Sequence, residues 1–396
     1  MTNLDYLYNP DAAKGYFGHN FFVDKNLNFR IIPHATTLPF VNITVNGTAL
    51  GFGGLVDKRG EFVKGGSFCS TAYTPNEDPQ RVPKTVVYMG MLHNVWGHAI
   101  TDNLRCMWFL KSDVFKDSFK NCPLVYVSYW STYDLFALRP TFKRLLEILE
   151  IDADRIKVIP RPMQFENVIF PDSSFYGENG HAFYTKEYRE AIERVKHFAI
   201  KNQTPLSAKK IYYYYGRHSL GEERIAEYCK SKGYAIVRPE NLSLDEQLNI
   251  LINCESFAST LGSCSHNSVF LREGTEVIII PRSTNYPAGY TYQATLDKMN
   301  NVNEIYIDSS LSIYETLFGP YCFIISEQLK KFFGDKFDGY ADDDFKIFSE
   351  YAKASVKHGF KVNETAMPSY KSTYQGFLGQ LKGREDLMKA YGMNVS

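Results

Sequence analysis

Three residues in the N-terminal half have types and spacing that suit acid–base chemistry. His98, Asp102 and Arg105 are separated by four and then three positions. On a helix, this spacing would place the three side chains on one face. A carboxylate beside a histidine can take a proton from a hydroxyl group, so the set predicts a general base. The same pair could instead be a buried histidine held by a structural carboxylate, and the spacing alone does not separate the two interpretations.

A second set of polar residues follows three predicted strands in the C-terminal half. The clusters are Arg217-His218, Arg238-Pro239-Glu240 and the turn 262–267. In a parallel sheet, ligands bind beyond the carboxyl ends of the strands. An arginine fork and the amides at a helix N-terminus suit a diphosphate, while a glutamate suits ribose hydroxyls. The clusters predict a nucleotide site, unless the serines only cap a helix and Arg217 pairs with a surface glutamate.

Alternating strands and helices must position both sets. A capping box at Ser243-Leu244-Asp245-Glu246 predicts the start of one helix, and a polar segment at 202–208 predicts a linker. Strands are predicted at 85–90, 123–127, 156–159, 168–171, 211–215, 234–237, 256–260 and 277–280. This alternation favours parallel sheets that are covered on both faces.

Two stretches carry a family resemblance. Pro239-Glu240, Leu242-Ser243 and Glu246-Gln247 precede a glycine turn that ends in Asn267-Ser268-Val269-Phe270. Asn94-Val95-Trp96-Gly97-His98 precedes Asp102 and Arg105. Across residues 85–310 the chain resembles glycosyltransferase family 61, of the type that builds bacterial capsular polysaccharide, exopolysaccharide or lipopolysaccharide. Many members have a longer turn with a His-Gly-Ala core, whereas this turn, Gly-Ser-Cys-Ser-His-Asn, is closer to a shorter bacterial variant.

The resemblance implies an α/β fold of the GT-B type. Such a fold has two Rossmann-like α/β domains with an interdomain cleft, here followed by a C-terminal helical tail. We expect a β-rich elaboration in 1–80, an acceptor-side α/β domain in 81–204, a nucleotide-sugar-binding α/β domain in 205–320 and a helical tail in 321–396.

The resemblance also implies an inverting glycosyltransferase, which we expect to be metal-independent and to need no cofactor. It would move a sugar from a nucleotide-sugar, expected to be UDP-linked, to a hydroxyl of a carbohydrate or lipid-linked glycan. Asp102 is the expected base and His98 its assistant, although the sequence leaves the choice between them open. The other expected site residues are His93, Asn94 and Arg105 for the acceptor, and Arg217, His218, Glu240, Gly262, Ser263, Ser265, His266 and Asn267 for the donor.

The composition limits the classes of binding partner and the cellular compartment that we expect for this protein. Lys+Arg and Asp+Glu are both 44, so no basic excess favours nucleic acid as the main partner. The seven cysteines are scattered without a Cys-x-x-Cys pair, which is typical of reduced thiols. The first residues lack a signal-peptide pattern. We expect a cytoplasmic protein, with peripheral association at the inner face of the membrane left open.

Two other functions remain compatible with these patterns. One is a polysaccharide pyruvyl-type transferase on a similar scaffold, which the identity of the bound donor would distinguish. The other is a non-catalytic nucleotide-sugar-binding protein, which would bind a donor without turnover in the presence of any acceptor.

The spacing of acidic and histidine residues predicts no metal site. Asp152-Ala153-Asp154 has the Asp-x-Asp composition of metal-dependent glycosyltransferases, but it precedes a predicted strand instead of following one. Asp342-Asp343-Asp344 lies in a polar helical segment and is expected to be a solvated cap.

We therefore expect glycosyl transfer to survive chelation. Initial rates should be equal before and after EDTA treatment, because no side-chain set with metal-ligand spacing is present. Adding Mg²⁺ or Mn²⁺ back is the control. Activity that EDTA abolishes and either ion restores would return Asp152 and Asp154 to consideration as ligands.

Overall fold

Two β-sheets organise the chain, one in each of two units. In the computed structural model, the units are Asn20–Asn202, and Met1–His19 together with Gln203–Ser396. Helix α1 (Pro10–Phe17) therefore groups with the C-terminal part. The structure describes residues 4–7, 10–17, 21–45, 48–65, 71–128, 139–178, 180–216, 219–282, 289–311, 321–344, 346–348, 350 and 351.

The unit Asn20–Asn202 contains a mixed sheet that has seven strands among the described residues. β4, β5, β6 and β7 run parallel in the order β7-β4-β5-β6, while β1 and β2 pair antiparallel with β7, and β3 with β2. The strands are β1 (Phe29–Pro33), β2 (Thr36–Val45), β3 (Thr48–Val56), β4 (Gln80–Leu92), β5 (Leu124–Ser128), β6 (Ile156–Ile159) and β7 (Met163–Pro171). Val87, Val127 and Ile169 are fully buried, as expected for parallel strands covered on both faces.

Helices α2 (Trp96–Thr101), α3 (Pro140–Ile148) and α4 (Lys186–Lys201) belong to the same unit, with the hairpin of β8 (Phe175–Glu178) and β9 (His181–Tyr184). α4 forms because apolar residues recur on one face. Tyr188, Ile192, Val195 and Ala199 are buried at helical spacing.

The second sheet is entirely parallel, in the order β12-β10-β13-β14-β15. Its strands are β10 (Lys210–Tyr213), β12 (Ala235–Val237), β13 (Ser256–Thr260), β14 (Glu276–Ile280) and β15 (Asn303–Tyr306). The chain crosses from β10 to β12 on one side and then returns to β13 on the other. The carboxyl ends of β10 and β13 are therefore the topological switch point, where sheets of this order open a crevice.

Besides α1, four α-helices and a short strand pair complete this unit within the described residues. They are α5 (Glu222–Ser231), α6 (Leu244–Asn253), α7 (Gly289–Asn300), α8 (Glu327–Phe332), β11 (Ser219–Leu220) and β16 (Tyr321–Cys322). The predicted capping box is confirmed, because Ser243 and Glu246 exchange side-chain and main-chain hydrogen bonds. In the described residues, no helix combines the length and the apolar character needed to cross a membrane.

The C-terminal segment differs from the predictions in two respects, one in secondary structure and one in burial. Tyr321–Cys322 form a strand because their main chain pairs with Ser219–Leu220. Asp344 is buried and forms an ion pair with Arg224, so its prediction as a solvated cap was wrong. Residues 352–396 lie outside the described residues, and the predicted division into four segments stays a prediction.

Gly221 offers a test of this packing. Its φ is +82°, and a Cβ there would overlap the carbonyl oxygen of Phe323. Gly221→Ala should therefore add a steric clash of roughly 1–3 kcal/mol to the left-handed strain of about 1–2 kcal/mol. Gly233→Ala is the matched control, since φ is +88° and a Cβ would meet nothing within 4 Å. Urea denaturation should show a larger decrease in the free energy of unfolding for Gly221→Ala than for Gly233→Ala. Equal decreases would contradict the packing of Gly221 against Phe323.

Candidate functional site

Helix α2 is shorter than the sequence predicts. It ends at Thr101, so Asp102 is the C-cap residue and Arg105 lies beyond the helix. Asn103 explains the ending, because its side chain accepts from the His93 N–H at 3.0 Å and donates to the His93 carbonyl at 2.9 Å. These bonds tie the chain after α2 to the end of β4.

His98 and Asp102 are in direct polar contact. His98 Nδ1 lies 2.7 Å from Asp102 Oδ2, and the Thr101 hydroxyl donates to the same oxygen at 2.8 Å. The His98 side chain is 42% exposed, whereas that of Asp102 is 6% exposed. The predicted pair is therefore present, with the imidazole on the surface and the carboxylate beneath it.

Asp102 stays ionised despite its position. Burial pushes its pKa upward, but the hydrogen bond from His98 and the favourable electrostatic interactions with His98 and Arg105 outweigh burial and lower it. The C-terminal end of a helix also disfavours a negative charge. The carboxylate consequently depends on its immediate partners for its charge.

His93 completes the cluster. Its ring stacks on that of His98 with centroids 4.4 Å apart. Burial, reinforced by the charges of His98 and Arg105, lowers the pKa of His93 to about 3, so its imidazole is neutral at physiological pH. Asn94, the next residue, is partly exposed.

Arg105 is held against the main chain of β4. It is buried, and a Cβ on Gly90 would lie 2.6 Å from its Nη2. Gly90 has φ +103° and lies beside an irregularity in the pairing of β4 with β5. The structure thus brings together His93, Asn94, His98, Asp102 and Arg105, all of which were predicted for the catalytic and acceptor sites.

Glu222 is a residue that the sequence prediction missed. It is fully buried at the switch point, where its carboxylate accepts from the amides of Tyr215 at 3.2 Å and Gly216 at 3.0 Å. The Thr260 hydroxyl lies 3.3 Å from the same side chain. Burial raises the pKa of Glu222, although these amides counteract the rise. Glu222 thereby connects the ends of β10 and β13.

The turn after β13 uses part of the predicted donor set internally. A six-residue 3₁₀ helix runs from Ser265 to Phe270. The Ser265 hydroxyl accepts from the Gly262 N–H at 2.8 Å, and the Asn267 amide donates to the Cys264 carbonyl at 3.0 Å. Both side chains are buried, whereas Ser263 and His266 are partly exposed.

The other predicted donor residues lie after strand ends or outside the residues that the structure describes. Glu240 is exposed and lies 3.9 Å from the Arg238 guanidinium. Arg217 and His218 lie outside the described residues. Their predicted role in donor binding therefore stays a prediction.

A buried polar network supports the turn from α7. The Gln293 amide donates to Asp297 at 2.8 Å, and the Ser268 hydroxyl also donates to that carboxyl group. The Asn300 amide donates to the carbonyl of Ser268 at 2.7 Å. Burial, with an added contribution from Glu304, raises the pKa of Asp297 to about 8. Near neutral pH, most of this carboxyl group is therefore protonated.

No metal site emerges from the described part of the chain, where no group of three His, Cys, Asp or Glu side chains could hold an ion. Asp152 instead caps a short 3₁₀ helix, and its side chain accepts from the Asp154 N–H at 3.0 Å.

Comparison with known families adds an independent observation. The family model described as Glycosyltransferase 61 matches residues 96–278. This segment is just under half of the chain, and it contains both the His98–Asp102 pair and the switch point. The match supports the resemblance to glycosyltransferase family 61, and it supports the conclusion that the protein is a glycosyltransferase. No curated protein matches the chain significantly.

The raised pKa of Asp297 predicts a pH-dependent stability. Between the ordinary value of 3.8 and about 8, the folded state binds a proton that the unfolded chain has released. This contribution is complete below about pH 4 and is lost as the pH rises through 8, by at most about 1.4 kcal/mol per unit. Asp297→Asn cannot ionise, so its stability relative to the wild type should increase from pH 5 to pH 8.

Urea denaturation at both pH values measures this difference. The exposed Asp338→Asn is the matched control and should show no such increase. A difference for Asp297→Asn that is constant between pH 5 and pH 8 would contradict a buried, protonated carboxyl group.

Proposed function

We propose that this protein transfers a sugar from a nucleotide-sugar, expected to be UDP-linked, to a hydroxyl of a carbohydrate or lipid-linked glycan, with inversion and without a metal. The 2.7 Å contact between His98 and Asp102, within the family-matched segment, is the observation that carries this proposal. We also propose a GT-B-like architecture, a role in surface polysaccharide synthesis and a cytoplasmic location, with or without association at the inner face of the membrane.

In this proposal His98 is the base and Asp102 positions it, which reverses the order expected from the sequence. The reason is accessibility, because the imidazole is the exposed member of the pair. An ionised Asp102 accepts from Nδ1–H, which selects the tautomer whose Nε2 is unprotonated. Nε2, on the opposite side of the ring from Asp102, is then the nitrogen that takes the acceptor proton.

The reaction is a single displacement. His98 removes the proton of the acceptor hydroxyl while that oxygen attacks the anomeric carbon of the donor. The bond from this carbon to the diphosphate oxygen breaks on the opposite face, and the nucleoside diphosphate leaves with the bonding electrons. Two charges develop, one on the imidazole and one on the leaving group, and preorganised groups must stabilise both.

Asp102 stabilises the first of these charges. As His98 gains a proton, the adjacent carboxylate becomes the counter-ion of an imidazolium at 2.7 Å. Arg105 opposes protonation of Asp102, since its charge helps to lower the pKa of that carboxyl group. Asn94, which is partly exposed, is proposed to contact the acceptor, and the buried His93 to support His98 through its stacked ring.

The donor side is proposed to use the carboxyl ends of the parallel sheet. Gly262, Ser263 and His266 would line the phosphates, Glu240 the ribose, and Arg217 and His218 the leaving group. Glu222 and the buried Ser265 and Asn267 would act indirectly, because their observed hydrogen bonds hold the strand ends and the turn.

The His98–Asp102 proposal is tested by paired substitutions. His98→Ala should lower turnover by about 10²–10⁴, the usual loss for a general base, while nucleotide binding holds. Asp102→Asn should also lower turnover by about 10² or more, because the amide no longer selects the reactive tautomer. Initial rates, calorimetric nucleotide affinity and thermal melts should be measured with a panel of nucleotide-sugars and acceptors, with phosphoenolpyruvate included.

Exposed residues of the same unit provide the controls. His197→Ala and Asp113→Asn should leave all three measurements unchanged. Loss of activity in Asp102→Asn with near-normal turnover in His98→Ala would make Asp102 the base. If both variants melt early and their folded fraction is fully active, the pair is structural and the base lies elsewhere. Turnover of phosphoenolpyruvate alone would replace glycosyl transfer with pyruvyl transfer.

A further inference from the structure

Arg282 is a cation at the switch-point edge that the proposed function has not used. It follows β14 by two residues, at the carboxyl end of the parallel sheet. Its guanidinium lies against Gly262, where a Cβ would come within 2.6 Å of Cζ and 2.8 Å of Nη1. Gly262 has φ +139°, a conformation that side chains rarely adopt. The glycine therefore provides the space that the guanidinium occupies.

Two aromatic rings flank this guanidinium. Its Cζ lies 5.5 Å from the ring centroid of Tyr215 and 4.8 Å from that of Tyr321. Cation–π contacts stabilise the charge and restrict the plane of the group, but they use none of its N–H donors. The two rings thus hold Arg282 in place, and the N–H groups of its guanidinium stay available as hydrogen-bond donors.

The charge of Arg282 lacks a close counter-ion within the described residues. No carboxylate there lies within ion-pair distance, and the buried Nε has no hydrogen-bond partner. Glu222 is near enough for Arg282 to lower its pKa, but that carboxylate accepts from the amides of Tyr215 and Gly216. An arginine with unused donors in a partly buried place is costly, unless an anion completes it.

We propose that Arg282 binds the diphosphate of the nucleotide-sugar donor and stabilises it as the leaving group. This inference rests on the proposed function, and it names a residue outside the predicted donor set. A planar guanidinium suits the phosphate oxygens because two N–H groups can bind them side by side. The missing side chain at Gly262 lets the ligand and the guanidinium approach the main chain closely.

Calorimetry with inorganic pyrophosphate and with UDP tests this assignment directly, because pyrophosphate needs no base recognition. Arg282→Gln should weaken the binding of both probes by roughly tenfold or more, since a charge-assisted contact is lost. Uridine, which has no phosphate, should bind the variant and the wild type equally. Lys230→Gln, which removes an exposed charge from α5, is the control and should bind like the wild type.

A second pair of variants protects the test against misfolding of Arg282→Gln. Gly262→Ala should displace the guanidinium and weaken pyrophosphate binding to a similar extent. Gly274→Ala is its matched control, with φ +76° and nothing within 4 Å of a Cβ, and should bind normally. Arg282→Lys should fall between the wild type and Arg282→Gln, because it keeps the charge but loses the fork.

The outcomes separate this inference from the proposed function. If the wild type binds neither probe, or if folded Arg282→Gln binds both as tightly as the wild type, the assignment of Arg282 is overturned, even when glycosyl transfer is observed. If pyrophosphate binding depends on Arg282 but no nucleotide-sugar is turned over, the anion site is supported and the proposal of glycosyl transfer is contradicted. Binding of glucuronate in place of pyrophosphate would reassign Arg282 to a sugar carboxylate and overturn the diphosphate proposal.

Discussion

Main-chain amides at the end of a parallel β-strand lose their partners in the sheet, and at the switch point Glu222 accepts hydrogen bonds from two of them. Where β10 ends, the amides of Tyr215 and Gly216 lose their ladder partners, and a buried carboxylate takes both of them. A buried charge is costly alone, so the two amides and the Thr260 hydroxyl are as necessary to Glu222 as it is to them. The geometry of the switch-point edge depends on this exchange, because it holds the chain that leaves β10 beside the end of β13.

Three buried carboxyl groups show how the surroundings decide protonation. Asp102 has a histidine and an arginine as neighbours, and its pKa is lowered. Asp297 receives hydrogen bonds from neutral Gln293 and Ser268 and lies near the negative Glu304, and its pKa rises to about 8. Glu222, with main-chain amides, shows a raised pKa that those amides counteract. Of the three, Asp102 is therefore the one suited to stabilise a developing positive charge, whereas Asp297 is suited to hold a turn.

Local patterns in the sequence were sufficient for eight of the strands and for the capping box of α6, since apolar runs and a Ser-x-x-Glu motif act over a few residues. They also paired His98 with Asp102, because four-residue spacing spans one helical turn. They could not show that α2 ends at Thr101, since the ending depends on Asn103 binding the main chain of His93 ten residues earlier. Nor could they show that Ser265 and Asn267 are buried, or that Glu222 joins two strands, because these contacts depend on the order of strands in the sheet.

A glycine packed against an arginine occurs in both units, and the difference between the two pairs is informative. Gly90 accommodates Arg105, and Gly262 accommodates Arg282, with a positive φ at each glycine. A Cβ at either glycine would displace the guanidinium, so the absence of a side chain is what fixes each cation against the main chain. The charge of Arg105 acts on a buried carboxylate, Asp102, which it helps to keep ionised. Arg282 has aromatic neighbours and no carboxylate at ion-pair distance among the described residues. The same packing device therefore supports an internal charge in one unit and, in our proposal, leaves a cation for an anionic ligand in the other.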